Sequence, residues 1–310
     1  WGDTNDADIG QEIEFDSTII VRSGAENYIF HDKMSNGLEF IGITSITHQT
    51  SGENHILDPK YYTIINNPTD CEDDCTFEIV LTEDFHKHVN SGDRIIILYK
   101  ARLTEDAVIG NDGNPNEVWL HYGDNSESTH DVTITKTYGF DLVKTTTDHK
   151  LLPGAKFKIY RDAQCTDAKI IKFVKLNGYK GTTYDVYRIA TSEDIKAGTA
   201  VYEELEVTNG CIRIIGLDKD HYFLKETVAP DGYNLLKAPK EISLEFDNYL
   251  QFEQQKPLTN TGFQVVNQAG SILPETGATG IKIFVGVGMF TVIASGLLLV
   301  TKKRMSMIED

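Results

Sequence analysis

The side chains whose chemistry can be assessed first are four cysteines and nine histidines. Cysteines form disulfides or bind metals as thiolates. Cys71 and Cys75 enclose only three acidic residues, whereas Cys165 and Cys211 lie far apart in the sequence. For the first pair, a metal site that includes the acidic residues is the alternative to a disulfide. No second close cysteine pair and no suitably spaced histidine accompanies it.

Motifs of common enzyme classes are missing from the sequence, including GxSxG, GxGxxG, the Walker motif and HExxH. His86 and His88 are the one close histidine pair, and on a short helix they point to different faces. The run from Asn111 to Asn114 is similar to a calcium loop but lacks its spaced ligands and terminal glutamate. We therefore predict no metal and no cofactor.

The C-terminal region has three parts in a fixed order. The run Leu273-Pro274-Glu275-Thr276-Gly277 comes first, a nearly all-apolar segment over residues 281–301 follows, and the basic tail 302–304 closes the pattern. About twenty helical residues span about 30 Å, which matches the hydrocarbon core of a bilayer. The basic cluster should stay on the cytoplasmic side. A simple single-span membrane anchor is the alternative interpretation.

This three-part tail resembles the cell-wall sorting signals of LPXTG surface proteins of Gram-positive bacteria. The resemblance implies that a sortase, a transpeptidase with a cysteine nucleophile, cuts between Thr276 and Gly277 and passes the threonine carboxyl to an amine. It also implies a secreted protein fixed to peptidoglycan, with a membrane span that is lost on cleavage. In an exported chain, four cysteines favour two disulfides, Cys71–Cys75 and Cys165–Cys211.

Composition agrees with a location outside the cell. The formal net charge is −18 and the isoelectric point is about 4.9, which argues against nucleic-acid partners. No signal peptide precedes Trp1, so we expect a further region upstream.

Short β-branched and aromatic segments with turn signals between them predict an all-β chain of two tandem Ig-like or Cna B-type β-sandwich domains. Asn209-Gly210 predicts a hairpin, and only residues 82–90 have a helical pattern. We expect domains at 1–138 and 139–268, joined stiffly, and a sorting segment with a C-terminal transmembrane helix at 269–310.

Three stretches in the second domain carry a further resemblance. They are Lys144 followed by Leu152–Tyr160, the run Tyr222–Tyr233, and Val265–Asn267. In this order they resemble the Cna B-type domain of sortase-assembled pilins, and the middle stretch is similar to its E-box. The family joins a lysine of the first strand to an asparagine of the last strand through an intramolecular amide that a buried glutamate promotes. By position these are Lys144, Asn267 and Glu226.

The residue types suit that chemistry. A lysine is a nucleophile only when it is neutral, and an apolar core favours the neutral amine. A carboxamide is a poor electrophile, and a buried carboxylic acid can polarise its carbonyl and carry a proton to the departing ammonia. The reaction occurs once per chain, so the protein is not an enzyme in the usual sense.

The first domain resembles, more loosely, the isopeptide-forming second domain of major pilins. The matching runs are Tyr28–Phe40 and Asn114–Tyr122. The resemblance assigns the catalytic acid to Asp32 and the bonding asparagine to Asn116, and it places the partner lysine upstream of Trp1. Lys33 is a poor substitute because it neighbours the acid on the opposite face of a strand.

The leading hypothesis is a pilus backbone subunit. Its partners would be pilin-polymerising and housekeeping sortases, other pilin subunits, peptidoglycan and host surface ligands. The Tyr-Pro-Lys motif that supplies the family's linking lysine is not in the sequence, and we expect it upstream. The alternative is an accessory or basal pilin, or a monomeric adhesin, that binds host ligands through an N-terminal domain.

Overall fold

The computed structural model describes residues 3–24, 26–66, 74–244 and 262–270. Their secondary structure is almost entirely β, which confirms the predicted all-β class. The strands before residue 137 are β1 (Thr4–Asp6), β2 (Glu12–Ile20), β3 (Ile29–Met34), β4 (Leu38–Thr50), β5 (Glu53–Ile56), β6 (Tyr62–Asn66), β7 (Phe77–Leu81), β8 (Arg94–Leu103), β9 (Asn114–Tyr122), β10 (Ser126–Glu127) and β11 (Asp131–Lys136). The later strands are β12 (Tyr138–Thr145), β13 (Ala155–Tyr160), β14 (Phe173–Leu176), β15 (Asp185–Ile189), β16 (Val201–Tyr202), β17 (Leu205–Val207), β18 (Cys211–Leu217), β19 (His221–Val228), β20 (Lys240–Ser243) and β21 (Phe263–Val266).

In the described residues, two short α-helices accompany the strands, α1 (Glu83–His86) and α2 (Ser192–Ala197). Thr82 caps α1 through its side chain, which agrees with the helical pattern predicted at 82–90. Three single 3-10 turns complete the elements, at Pro59–Tyr61, Asp167–Lys169 and Tyr179–Gly181.

The strands up to β11 form the first sandwich. One sheet has the order β1-β11-β9-β3-β7-β6, with β10 beside β9, and the other has the order β2-β8-β4-β5. Burial alternates along β8, because every second side chain points into the core. Tyr99 of β8 meets Phe30 and Phe77 of the facing sheet, with ring centroids 6.5 and 5.2 Å away.

The strands from β12 onward form the second sandwich. Its sheets have the orders β16-β14-β15-β18-β12-β21 and β17-β13-β19-β20. The first strand, β12, lies between β18 and the last strand, β21, and runs parallel to β21. The two ends of this sandwich are therefore neighbours in one sheet.

The predicted hairpin at Asn209-Gly210 is wrong. β17 pairs with β13, whereas β18 pairs with β12 and β15, so the chain crosses from one sheet to the other at this turn. Gly210 has a φ of +78°, and a Cβ atom there would lie 2.6 Å from the side chain of Leu151. The glycine thus serves a close crossing and not a two-strand hairpin.

The two sandwiches contact each other through the segment Asp6–Gly10. The amide of Ala7 donates to the carbonyl of Lys136 at 3.0 Å, and the amide of Ile9 donates to Gly216 at 2.9 Å. Asp8 forms a salt bridge with Arg161 of the second sandwich. Thr137 alone separates β11 from β12. The expected stiff junction and the exact domain limits stay predictions.

Candidate functional site

Lys144 lies on the inner face of β12. It shares the parity of the core residues Phe140 and Leu142, and its side chain is fully buried. Strand alternation explains this placement, because residues two apart point to the same face. The sequence thus directs an amine into an apolar core.

Asn267 directly follows β21 and faces the same core. Because β12 and β21 are parallel with Lys144 opposite Val265, the asparagine lies one pleat beyond the lysine. The Lys144 Nζ donates to the Asn267 Oδ1 at 2.5 Å and to the carbonyl of Val265 at 2.9 Å. Asn267 is 1% exposed. The amine therefore lies against the carboxamide that it would attack.

Glu226 approaches from the other sheet of the second sandwich. It shares the inward parity of Tyr222 and Leu224 on β19. Its Oε1 and Oε2 each accept from the Asn267 Nδ2 at 3.0 Å, and Oε1 lies 3.8 Å from the Lys144 Nζ. The carboxyl group thus contacts both prospective reaction partners.

A loop after β19 closes the cluster with backbone atoms. The carbonyl of Asn234 accepts from the Asn267 Nδ2 at 2.9 Å, and the amide of Leu236 donates to the Glu226 Oε2 at 2.9 Å. Sequence reasoning missed both contacts. Backbone groups are present at every position, so no residue type indicates them.

Burial changes the protonation of the lysine. Desolvation lowers the pKa of Lys144 to about 8, although the nearby Glu226 raises it. A larger fraction of the amine is therefore neutral, and nucleophilic, near neutral pH.

The first sandwich holds a second buried polar cluster. Asp32 of β3 and Asn116 of β9 are 0% and 2% exposed, and the Asn116 Nδ2 donates to the Asp32 Oδ2 at 2.9 Å. It also contacts the hydroxyl of Tyr99 at 2.9 Å. Burial raises the pKa of Asp32 to about 7, although hydrogen bonds from Asn116 and Tyr99 oppose the shift. The structure therefore brings the two predicted residues together.

Sequence reasoning missed Tyr99, which shares the inward parity of Ile95 and Ile97 on β8. A tyrosine among core positions was a usable signal, because a buried hydroxyl needs a partner.

Among the described residues, no lysine contacts Asp32 or Asn116. The Oδ1 atoms of both residues have no hydrogen-bond partner there. Lys33 is adjacent to Asp32 but lies opposite Glu117 on the other face of β3, as the alternation of a strand predicts. The nucleophile expected for this cluster is therefore not among the described residues.

The predicted disulfide between Cys165 and Cys211 is wrong, because both thiols are free and buried. Cys211 begins β18, opposite Val143, whereas Cys165 lies in a turn after β13 of the other sheet. Separation along the sequence carried no information on which sheet each residue joins. Burial raises the pKa of Cys211 to about 12, which disfavours the reactive thiolate form.

Cys75 is disulfide-bonded, and Cys71 lies outside the described residues, so their pairing stays a prediction. His31, Cys75 and Glu78 have ligand atoms within 4.8 Å of one another. A disulfide sulfur is not a thiolate, and the His31 Nδ1 already meets Glu78 at 3.1 Å. This group is therefore not a metal site.

The sorting motif at 273–277, the apolar segment at 281–301 and the basic tail lie outside the described residues. Within the part of the chain that the structure describes, no helix has the length and apolarity needed to cross a membrane.

Three family models match successive stretches of the chain. A Gram-positive pilin backbone subunit 2, Cna-B-like domain matches residues 9–126. The SpaA prealbumin-like fold domain matches 139–256, and the LPXTG cell wall anchor motif matches 266–306. The last match confirms the predicted location on the cell wall.

The sequence is also similar to that of a curated fimbrial protein. Fimbrial subunit type 1 of Actinomyces viscosus is 29% identical over 182 residues, which cover 56% of this chain and 32% of that protein. The chain thus spans about a third of the length of this curated relative.

Solved structures share the fold. The 35 kDa C-terminal fragment of the major pilin GBS80 of Streptococcus agalactiae is 19% identical with a TM-score of 0.60, and the match covers 86% of this chain and 96% of that one. The group B streptococcus pilus 2b backbone protein is 17% identical with a TM-score of 0.57, and covers 87% and 97%. Two pilin domain models and the anchor motif thus match in order along one sequence, so the chain carries a Gram-positive pilin backbone domain and a SpaA domain followed by an LPXTG cell wall anchor motif.

Proposed function

We propose that this protein is a structural backbone subunit of a pilus. A sortase would cut between Thr276 and Gly277 and join the threonine carboxyl first to another subunit and finally to peptidoglycan. The second sandwich would crosslink itself through an amide bond between Lys144 and Asn267. The observation that carries this proposal is the contact of Lys144, Asn267 and Glu226 in one buried cluster.

The crosslinking step balances without any cofactor. The neutral Lys144 Nζ attacks the Asn267 Cγ, the Nζ–Cγ bond forms, and the Cγ–Nδ2 bond breaks. Glu226 takes a proton from Nζ and delivers it to Nδ2, which leaves as ammonia. Its contacts with both nitrogens suit this relay.

The position of the bond suits a fibre under tension. It would join the first strand of the second sandwich to the residue after its last strand. A pull on the two ends would load this covalent bond before the hydrogen bonds of the sheets. Closing a loop of 123 residues would also stabilise the fold by about 5 kcal/mol, if the entropy relation for disulfides applies.

For the first sandwich, the proposal covers only the acid and the asparagine. Asp32 and Asn116 would serve as the promoting carboxyl and the electrophile of a second crosslink. Their contact and their complete burial support these roles.

Intact-mass spectrometry tests the crosslink in the second sandwich. Loss of ammonia lowers the mass of the full chain by about 17 Da. Glu226→Ala should restore the full mass, whereas Glu206→Ala, on the exposed face of β17, should keep the loss. Fragmentation should recover a peptide that joins Lys144 to Asn267. An unshifted wild-type mass, together with labelling of Lys144 by amine reagents in the unfolded chain, would refute the proposal.

A further inference from the structure

The loop Tyr233–Leu236 is tied to the electrophile of the second sandwich. The amide of Tyr233 donates to Pro230 at 3.0 Å, and the amide of Asn234 donates to the carbonyl of Gln268 at 3.1 Å. Gln268 directly follows Asn267, so this hydrogen bond fixes the position of the loop relative to the asparagine. Two further backbone groups of this loop reach the reacting side chains.

We propose that this loop takes part in the crosslinking reaction through its backbone. The Asn234 carbonyl would hold the leaving nitrogen, and the Leu236 amide would orient the Glu226 carboxyl. The inference rests on the proposed bond between Lys144 and Asn267.

The first role follows from the hydrogens of the leaving nitrogen. A carboxamide nitrogen carries two hydrogens, and here Glu226 accepts on one side at 3.0 Å while the Asn234 carbonyl accepts on the other at 2.9 Å. When the nitrogen gains a proton before it leaves, it becomes positively charged. A hydrogen bond from a charged donor is stronger, so the Asn234 carbonyl stabilises the protonated leaving group more than the starting amide.

The second role concerns the direction of the carboxyl group. The Leu236 amide donates to Oε2, whereas Oε1 is the oxygen 3.8 Å from the Lys144 Nζ. Holding Oε2 fixes the rotation of the carboxyl group. Oε1 therefore remains between the amine that loses a proton and the nitrogen that gains one.

A purely structural role for the loop is the competing explanation. The Leu236 side chain packs against the core, so a change there also alters packing. Separating the two requires variants that change one backbone group and keep the side chain.

Ester substitutions in the full chain provide such variants. Replacing Leu236 by its α-hydroxy analogue removes the amide that Glu226 accepts from. The same replacement at Leu235 converts the preceding linkage to an ester, which makes the Asn234 carbonyl a weaker acceptor. An α-hydroxy analogue at the exposed Ala200 is the matched control, and Leu236→Ala loses packing but keeps the amide.

Each chain is prepared unfolded, refolded by dilution in mild detergent and quenched over time, and loss of ammonia is followed by intact mass. Near-ultraviolet circular dichroism gives the folded fraction. Per folded molecule, we expect the ester at 236 to slow the reaction about tenfold to a hundredfold and the ester at 235 about tenfold. The Ala200 ester should react at the wild-type rate, whereas Leu236→Ala, which keeps the amide, should be slowed much less than the ester at 236.

The possible outcomes distinguish the proposed crosslink from the proposed role of the loop. If the wild-type chain itself does not lose ammonia, the crosslink is wrong and the inference falls with it. If the wild type reacts and both esters react equally fast, the crosslink stands and the inference is wrong. Leu236→Ala slowing the reaction as much as the ester, or ester variants that do not fold, would show a structural role and would likewise overturn it.

Discussion

Each sandwich buries a carboxyl group in contact with a carboxamide, but the groups around this pair differ between the two sandwiches. In the second, the Oδ1 of Asn267 accepts from Lys144 and its Nδ2 is held by Glu226. In the first, the Nδ2 of Asn116 is held by Asp32 and Tyr99, but the Oδ1 atoms of the acid and the amide have no partner among the described residues.

Burial shifts the pKa of a different group in each cluster. Without a nearby cation, burial raises the pKa of Asp32 to about 7. In the second cluster, burial lowers the pKa of the Lys144 amine to about 8. Among the described residues, only the second arrangement brings an amine, a carboxamide and a carboxyl group together.

The largest expected effect comes from removing the electrophile of the second sandwich. Asn267→Ala would prevent the proposed crosslink, so the free energy of unfolding should fall by about 5 kcal/mol through the lost closure of the loop. Chemical denaturation of the full chain measures this change. Asn177→Ala, at an exposed turn, is the control and should leave the free energy of unfolding unchanged. Unchanged unfolding of Asn267→Ala would mean that no covalent bond stabilises this sandwich.

The second expected effect is a dependence on pH in the first sandwich. Burial raises the pKa of the Asp32 carboxyl to about 7 in the folded state, from its ordinary value of 3.8 in the unfolded chain. Between these values the folded state binds the extra proton, so stability should fall as the pH rises from about 4 to about 7, by at most about 4 kcal/mol. Asp32→Asn should remove this slope from the free energy of unfolding.

Exposed Asp124, in the turn between β9 and β10, supplies the control for that slope, since Asp124→Asn should leave it unchanged. Equal slopes in the wild type and in Asp32→Asn would contradict the assignment of the raised pKa to Asp32.

A smaller effect should come from the hydroxyl that only the first cluster contains. Tyr99→Phe removes an acceptor for the Asn116 Nδ2 in a buried site, so it should destabilise the protein by about 1–3 kcal/mol. It should also shift the fall in stability to higher pH, because the hydrogen bond from Tyr99 lowers the pKa of Asp32. Tyr187→Phe, a buried tyrosine on β15, tests the general effect of losing a hydroxyl. Wild-type stability and pH dependence in Tyr99→Phe would show that the Tyr99 hydroxyl does not contribute to the cluster.

The smallest effect concerns the cysteines of the second sandwich. Since Cys165 and Cys211 are free, a reductant should not change the stability of this sandwich. Maleimide should label both cysteines in the unfolded, unreduced chain, and peptide mapping checks this. Absence of label on either one would restore the predicted disulfide.

Local patterns carried much of the fold and of the second cluster. Short β-branched and aromatic segments with turn signals indicated the all-β class, and the resemblance to Cna B-type domains named Lys144, Glu226 and Asn267, the three side chains that meet. These inferences succeed because strand propensity and sequence motifs are local properties. The hairpin at Asn209-Gly210 and the Cys165–Cys211 pair failed because membership of a sheet depends on distant partners.

The sequence by itself determined the pilin domains, the LPXTG anchor and the residue types suited to a crosslink, since each is encoded in a contiguous motif. Only the tertiary structure decided that Tyr99 joins Asp32 and Asn116, and that the backbone of Asn234 and Leu236 completes the second cluster. The physical reason is that a hydrogen bond across two packed sheets depends on their register and spacing, and backbone groups are the same at every residue.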